Sequence, residues 1–301
     1  MLLLLLAIGL AGLPGLASAH MEGGSASVMP DWTLTPWLLA SLAICLLWYA
    51  AGWARQWRAA RRPIGELLRR ALGFGFGWLA LVAALVSPVD AAGGVSFAAH
   101  MVQHELLMIV AAPLLITGRP ATTWLWACPP MTRRVLGRIS ASAVGAGWRW
   151  LLKPLPAWLL HFLALWCWHV PALFQAALRH EAVHVAQHAS FFLSALVFWW
   201  SVMQGRRRPQ SDGGAVFSLF STMMHTGALG VLLTLSNTLW YPDYGWRAAV
   251  FGLSPLEDQQ LGGLIMWIPG GLVYVIVALV LCAQCLLQQD HARADEGEQH
   301  A

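Results

Sequence analysis

The sequence predicts an all-α membrane protein: a seven-transmembrane-helix bundle, N-terminus outside and C-terminus cytoplasmic, preceded by a signal-like segment. Three observations predict it. Hydrophobic residues make up 58% of the 301 and charged ones only 11%, against about 25% charged in soluble domains. Seven apolar stretches each approach the ~20 residues needed to cross the hydrocarbon of a bilayer. Sixteen of the 18 Lys and Arg fall in alternate connections or in the tail, and such a bias marks the cytoplasmic side. The 18 Trp suit membrane-interface belts. A disordered chain, a disulfide-rich module and a nucleic-acid-binding domain are excluded, and the net charge of +4 reports topology rather than an anionic partner.

The elements follow in order. Residues 1–19 are an apolar run ending in Leu16-Ala17-Ser18-Ala19, an A-x-A-like signal-peptide ending without a basic start. Cleavage there leaves His20 first; otherwise the segment stays as an anchor. The predicted spans are Pro36–Trp53, Ala71–Val86, Phe97–Ile116, Leu155–Phe174, Ala182–Met203, Phe217–Tyr241 and Leu261–Leu287. All are expected to be helical, because backbone groups cannot stay unpaired in lipid. Together they make a membrane domain over residues 36–287, followed by a cytoplasmic tail, 288–301. Gly73, Gly75 and Gly77, with the pairs Gly262-Gly263 and Gly270-Gly271, predict close helix contacts. The stretch 117–154, rich in Trp and Arg, is expected to hold an amphipathic helix on the cytoplasmic surface. The basic residues that set the direction are Arg55 to Arg70, Arg119 to Lys153, Arg206 to Arg208 and Arg293; only Arg179 and Arg247 lie on the other side.

Eight of the 11 histidines lie in or at the ends of spans, where polar side chains are costly and face the bundle interior. His100 and His104 share a helix face at i, i+4 spacing, and His180, His184 and His188 repeat that spacing on span five. His169 closes span four, His161 lies deeper, and His225 is near the middle of span six. Most of these imidazoles fall in the outer half of the membrane, on a topology fixed by arginine alone. Imidazole suits copper, zinc and iron, and thioether favours copper(I). The expected metal ligands are His100, His104, His184, His188 and His225, with copper as the ion. His169, His180, Met101, Met224, Asp258 and Met266 are expected to support them. Asp258 is read as a cap on its own helix or as a carboxylate that orients a ligating histidine. Asp90 and Asp243 read as solvated loop residues. A b-type haem between histidines such as His104 and His188 is the alternative cofactor. Cys282-x-x-Cys285 lacks a redox-fold context, and no catalytic motif is present, so a non-enzymatic role is expected.

Several strings resemble the CtaG family of caa3-type cytochrome c oxidase assembly factors. They are His100-Met101-Val102-Gln103-His104 with Ala112-Pro113-Leu114-Leu115, Trp166-x-Trp168-His169-x-Pro171, and His180, His184 and His188. They continue with Met223-Met224-His225-Thr226-Gly227-Ala228 and the run from Leu256-Glu257-Asp258-Gln259-Gln260 to Met266-Trp267. The resemblance covers span one to span seven. It implies a multi-pass protein of the bacterial plasma membrane that helps mature a haem-copper oxidase by handling copper. Its implied partners are cytochrome c oxidase subunits, periplasmic copper chaperones and the lipid bilayer. A scaffold or transporter without bound metal is the remaining alternative.

Overall fold

The computed structural model describes residues 31–59, 63–204 and 212–299. The signal-like stretch 1–19, His20, Arg61, Arg62 and Arg206 to Arg208 lie outside the described residues. Among the described residues, six helices are long and apolar enough to cross a membrane, or seven if the bent pair Ala143–Leu151 and Pro154–His169 counts as one span. No strand occurs among the described residues.

Helix α1 (Pro36–Arg58) begins with Pro at its first turn, where a missing N–H costs nothing. Helix α2 (Ile64–Leu85) starts earlier than hydropathy predicts, because Glu66 pairs with Arg70 one turn on and lets that arginine be buried. A short helix, α3 (Pro88–Gly93), is capped by the Ser87 hydroxyl. Then comes α4 (Phe97–Thr117), capped by Ser96 and interrupted by a π-helical turn at Leu106–Ala111. Pro113 explains this turn. In π register Ala112 N–H bonds Leu107 O, so the next donor, residue 113, should bond Met108 O, and proline has none. The indole of Trp199 supplies it instead, donating to Met108 O at 2.8 Å.

The predicted amphipathic stretch is three short helices: α5 (Pro120–Ala127), α6 (Pro130–Ala141) and α7 (Ala143–Leu151). Arg55 of α1 donates to the carbonyls of Trp126 and Ala127, tying α5 to the arginine-rich end of α1. The fourth predicted span is shorter than expected. Helix α8 covers Pro154–His169, and Val170 takes the extended conformation required before Pro171. The chain resumes as α9 (Pro171–Arg179), then α10 (Glu181–Gln204). Helix α11 (Asp212–Thr234) ends seven residues before the predicted Tyr241, and an irregular loop with two short 3-10 turns follows.

The last span, α12 (residues 255–299), starts six residues before the predicted Leu261. Ser254 and Glu257 form a capping box there, with Pro255 at the first position. A second π turn, Met266–Gly270, contains Pro269, and the helix runs on to Gln299 through the stretch predicted as a tail.

Helix α4 is central. Its most apolar stretch is 61% buried, against 28% for α1, which lies at the edge beside α2 and α5. Helices α2, α10 and α12 pack around α4, while α8 and α11 close the far side against α10 and α12. The predicted glycine contacts are real where α11 crosses α12: a methyl group on Gly263 would lie 2.6 Å from Gly230 O. Gly75 is different, with nothing within reach of an added side chain.

Candidate metal centre

Two helix faces make the site. On α4, i, i+4 spacing brings the His100 and His104 ring centroids to 4.4 Å; on α10 the same spacing brings His184 and His188 to 4.2 Å. Where the faces meet, His188 lies 4.9 Å from His104 and 5.2 Å from His100. His184 lies 5.4 Å from His100, and His169, the last residue of α8, lies 6.5 Å from His104. Phe191 packs on His104 and Phe174 on His100. One nitrogen from each of His100, His104 and His188 lies within 4.8 Å of the other two. Metal–nitrogen bonds of about 2.0–2.1 Å put three such nitrogens roughly 3.5 Å apart. Small side-chain rotations close that gap.

The hydrogen bonding is incomplete in a way that points inward. His100 Nε2, both ring nitrogens of His104, His188 Nε2 and His169 Nε2 are buried without a partner. Each such atom costs about 1–3 kcal/mol, and several around one point are rare in natural cores. A cation bound by three of them would remove most of that cost, so the residues fit a metal.

The nitrogen that His100 presents is fixed. Its Nδ1 lies 2.9 Å from the Tyr244 hydroxyl, which donates to Gly93 O at 3.1 Å. Burial raises the Tyr244 pKa well above its ordinary value, so the phenol keeps its proton. The carbonyl can only accept. Tyr244 therefore spends its proton on Gly93, and His100 Nδ1–H donates to the phenol oxygen. Nε2 is left with its lone pair free, the arrangement typical of metal-bound histidines. His169 Nδ1 is likewise committed to Leu165 O at 2.7 Å.

The run Glu257 to Gln260 builds the support. Asp258 does not cap its own helix, which the Ser254–Glu257 box already closes. It caps α4, accepting from Ser96 Oγ at 2.6 Å, Phe97 N at 2.7 Å and Ala98 N at 3.2 Å, and so fixes the helix that carries His100 and His104. Gln259 accepts from Trp240 N at 2.6 Å and donates to Thr238 O at 3.0 Å, while Gln260 donates to Ser236 O at 3.1 Å. These bonds hold the loop that presents Tyr244, and also Tyr241, which donates to His169 O at 2.8 Å.

Other expected residues lie elsewhere. His225 sits against Phe162 and Trp158 (4.9 and 5.9 Å) rather than in the triad. His161 bonds Ser194 Oγ at 3.0 Å and packs on Phe198. His180 is exposed, and its carbonyl begins α10. Met101 and Met266 are buried in an apolar cluster with Phe97 and Phe174, where Met101 meets Gly262 of α12. Met224 is 54% exposed on the outer surface. Asp90 and Asp243, read as solvated, are both bonded: Asp90 to Thr33 and Gln103, Asp243 to Arg179. The Arg179 hydrogen bond holds the Asp243 carboxyl below its ordinary pKa. The cavity adjoining the triad is about 130 Å³, well below the roughly 300–1,000 Å³ of pockets for drug-sized ligands.

The family pattern of cytochrome c oxidase caa3 assembly factors matches residues 47–288, a stretch that takes in every residue of the histidine cluster. The chain belongs to this family. Two relatives, described as uncharacterized proteins of Mycobacterium bovis and Mycobacterium tuberculosis, are each 28% identical over 292 residues, 92% of this chain. The chain spans 42% of the length of these relatives. No solved structure matches it. In this caa3 assembly factor family member, the strings quoted from the sequence fall on the histidine-bearing helices and on the segment that caps α4 and staples the Tyr244 loop.

Proposed function

We propose that this chain assists the assembly of a haem-copper oxidase by holding copper at His100, His104 and His188 and passing it to an oxidase subunit. The observation that carries this reading is the convergence of unpartnered buried imidazole nitrogens on one point. Membership of the caa3 assembly factor family supplies the process. Copper is cargo here, not a resident cofactor. The donor set favours the monovalent ion: neutral imidazoles leave the whole charge of the metal in apolar surroundings, and that cost rises with the square of the charge. Three ligands also leave copper(I) open to an incoming donor, which transfer requires.

In this reading the histidine end of the bundle faces the extracytoplasmic side of the plasma membrane, where periplasmic copper chaperones deliver. Its support is the distribution of charge. Arg55, Arg58, Arg69, Arg70, Arg133, Arg134, Arg138 and Arg149 gather at the opposite end, the pattern of a cytoplasmic face.

The test is a copper(I) titration of the full chain in lipid nanodiscs against a chromophoric chelator. The wild type should retain about one ion per chain, the stoichiometry of a single three-imidazole site. His104→Ala and His188→Ala should each retain none, and Met224→Ala should bind as the wild type. Full binding by the His104→Ala/His188→Ala double variant would overturn the assignment.

A further inference from the structure

His188 has a second situation besides the triad. It lines a cavity of about 130 Å³ bounded by the chain leading into α1, by α3 and by the first turns of α10. The polar residues of this cavity are Thr33, Thr35, Asp90, Glu181, His184 and His188. Glu181 is exposed at its edge, Asp90 and His184 are half-buried, and His188 is 8% exposed with Nε2 unpartnered. The cavity therefore leads from the outer surface to one triad ligand.

Its carboxylate is held in place. Asp90 Oδ2 accepts from Thr33 Oγ1 at 2.7 Å and Oδ1 from Gln103 Nε2 at 2.7 Å. Gln103 sits on α4 between His100 and His104 and also donates to Ala84 O at 2.9 Å. Each carboxylate oxygen has a second lone pair uncommitted. Asp90 and His184 line the same cavity, and the ring centroid of His184 is 4.2 Å from that of His188.

We propose that Asp90 and His184 form an outer station where copper(I) is taken up before it moves to the triad. This rests on the triad being the copper site. The fixed anion lowers the cost of bringing a cation out of water, and His184 supplies the first imidazole. The ion then exchanges His184 for His188, one neutral imidazole for another, so no electron or proton is transferred. Because the station lies on the path and outside the endpoint, it governs entry and exit alike and leaves the equilibrium constant unchanged.

The experiment is stopped-flow mixing of the nanodisc-embedded full chain with copper(I) held by a weak chromophoric chelator, and then with a stronger chelator to follow exit. Asp90→Asn, which keeps an acceptor for Gln103, and His184→Gln should both reach the wild-type final occupancy. Entry should slow about tenfold or more, the scale on which a focusing charge alters association, and exit should slow by the same factor. Wild-type entry in either variant would overturn the station. So would loss of the bound equivalent in His184→Gln, since His184 would then be a ligand of the main site. A wild-type chain that takes up no copper(I) would instead remove the triad assignment beneath it.

Discussion

Tyr244 sets which nitrogen His100 offers, through the chain from His100 Nδ1–H to the phenol oxygen to Gly93 O. Tyr244→Phe should keep the fold and lower copper(I) affinity about 10- to 100-fold, the usual effect of losing a group that orients a metal-bound histidine. Competition against a chelator measures it, and unchanged affinity would contradict the role. The histidines were legible in the sequence because i, i+4 spacing places side chains on one face whatever surrounds the helix. Tyr244 was not, since it reaches His100 from an irregular loop with no periodicity to read. The methionines misled for a related reason: Met101, one residue past His100, is rotated about 100° around the helix and faces α12. Asp90 read as solvated because its partners, Thr33 and Gln103, are brought to it by tertiary packing.

Among the elements, α4 carries the most constraint. It is capped at one end by Asp258 from α12, and its π turn is completed by Trp199 from α10. Trp199→Phe retains the aromatic bulk but leaves Met108 O buried and unpaired, which should cost about 1–3 kcal/mol. Thermal unfolding in detergent would show it as a lowered midpoint, and an unchanged midpoint would argue against the indole's role in the turn. Six of the seven predicted spans were legible from hydropathy alone, since apolar length suffices to identify a crossing helix. Their ends were not. Pro171 terminates α8 and Ser254 initiates α12 by local backbone chemistry that a hydropathy window averages away. The run Glu257 to Gln260 was visible as a string, but its division of labour depends on which helix end and which loop it meets.

Across the whole molecule, two ends of different chemistry share one bundle. One gathers arginines around α5 to α7, and the other gathers imidazoles around the start of α4 and α10. The axis of this arrangement could be read from charge and histidine position in the sequence, but the neighbours across it could not. Helix packing decides that His188 meets His104 while His225 faces Trp158 and Phe162. Packing has brought three imidazoles together, and we propose that they form a copper(I) site. X-ray absorption of the copper-loaded full chain tests it most directly. A copper(I) edge and a shell of three imidazole nitrogens with no sulfur are expected; a thiolate or thioether sulfur shell would rule the three-histidine site out.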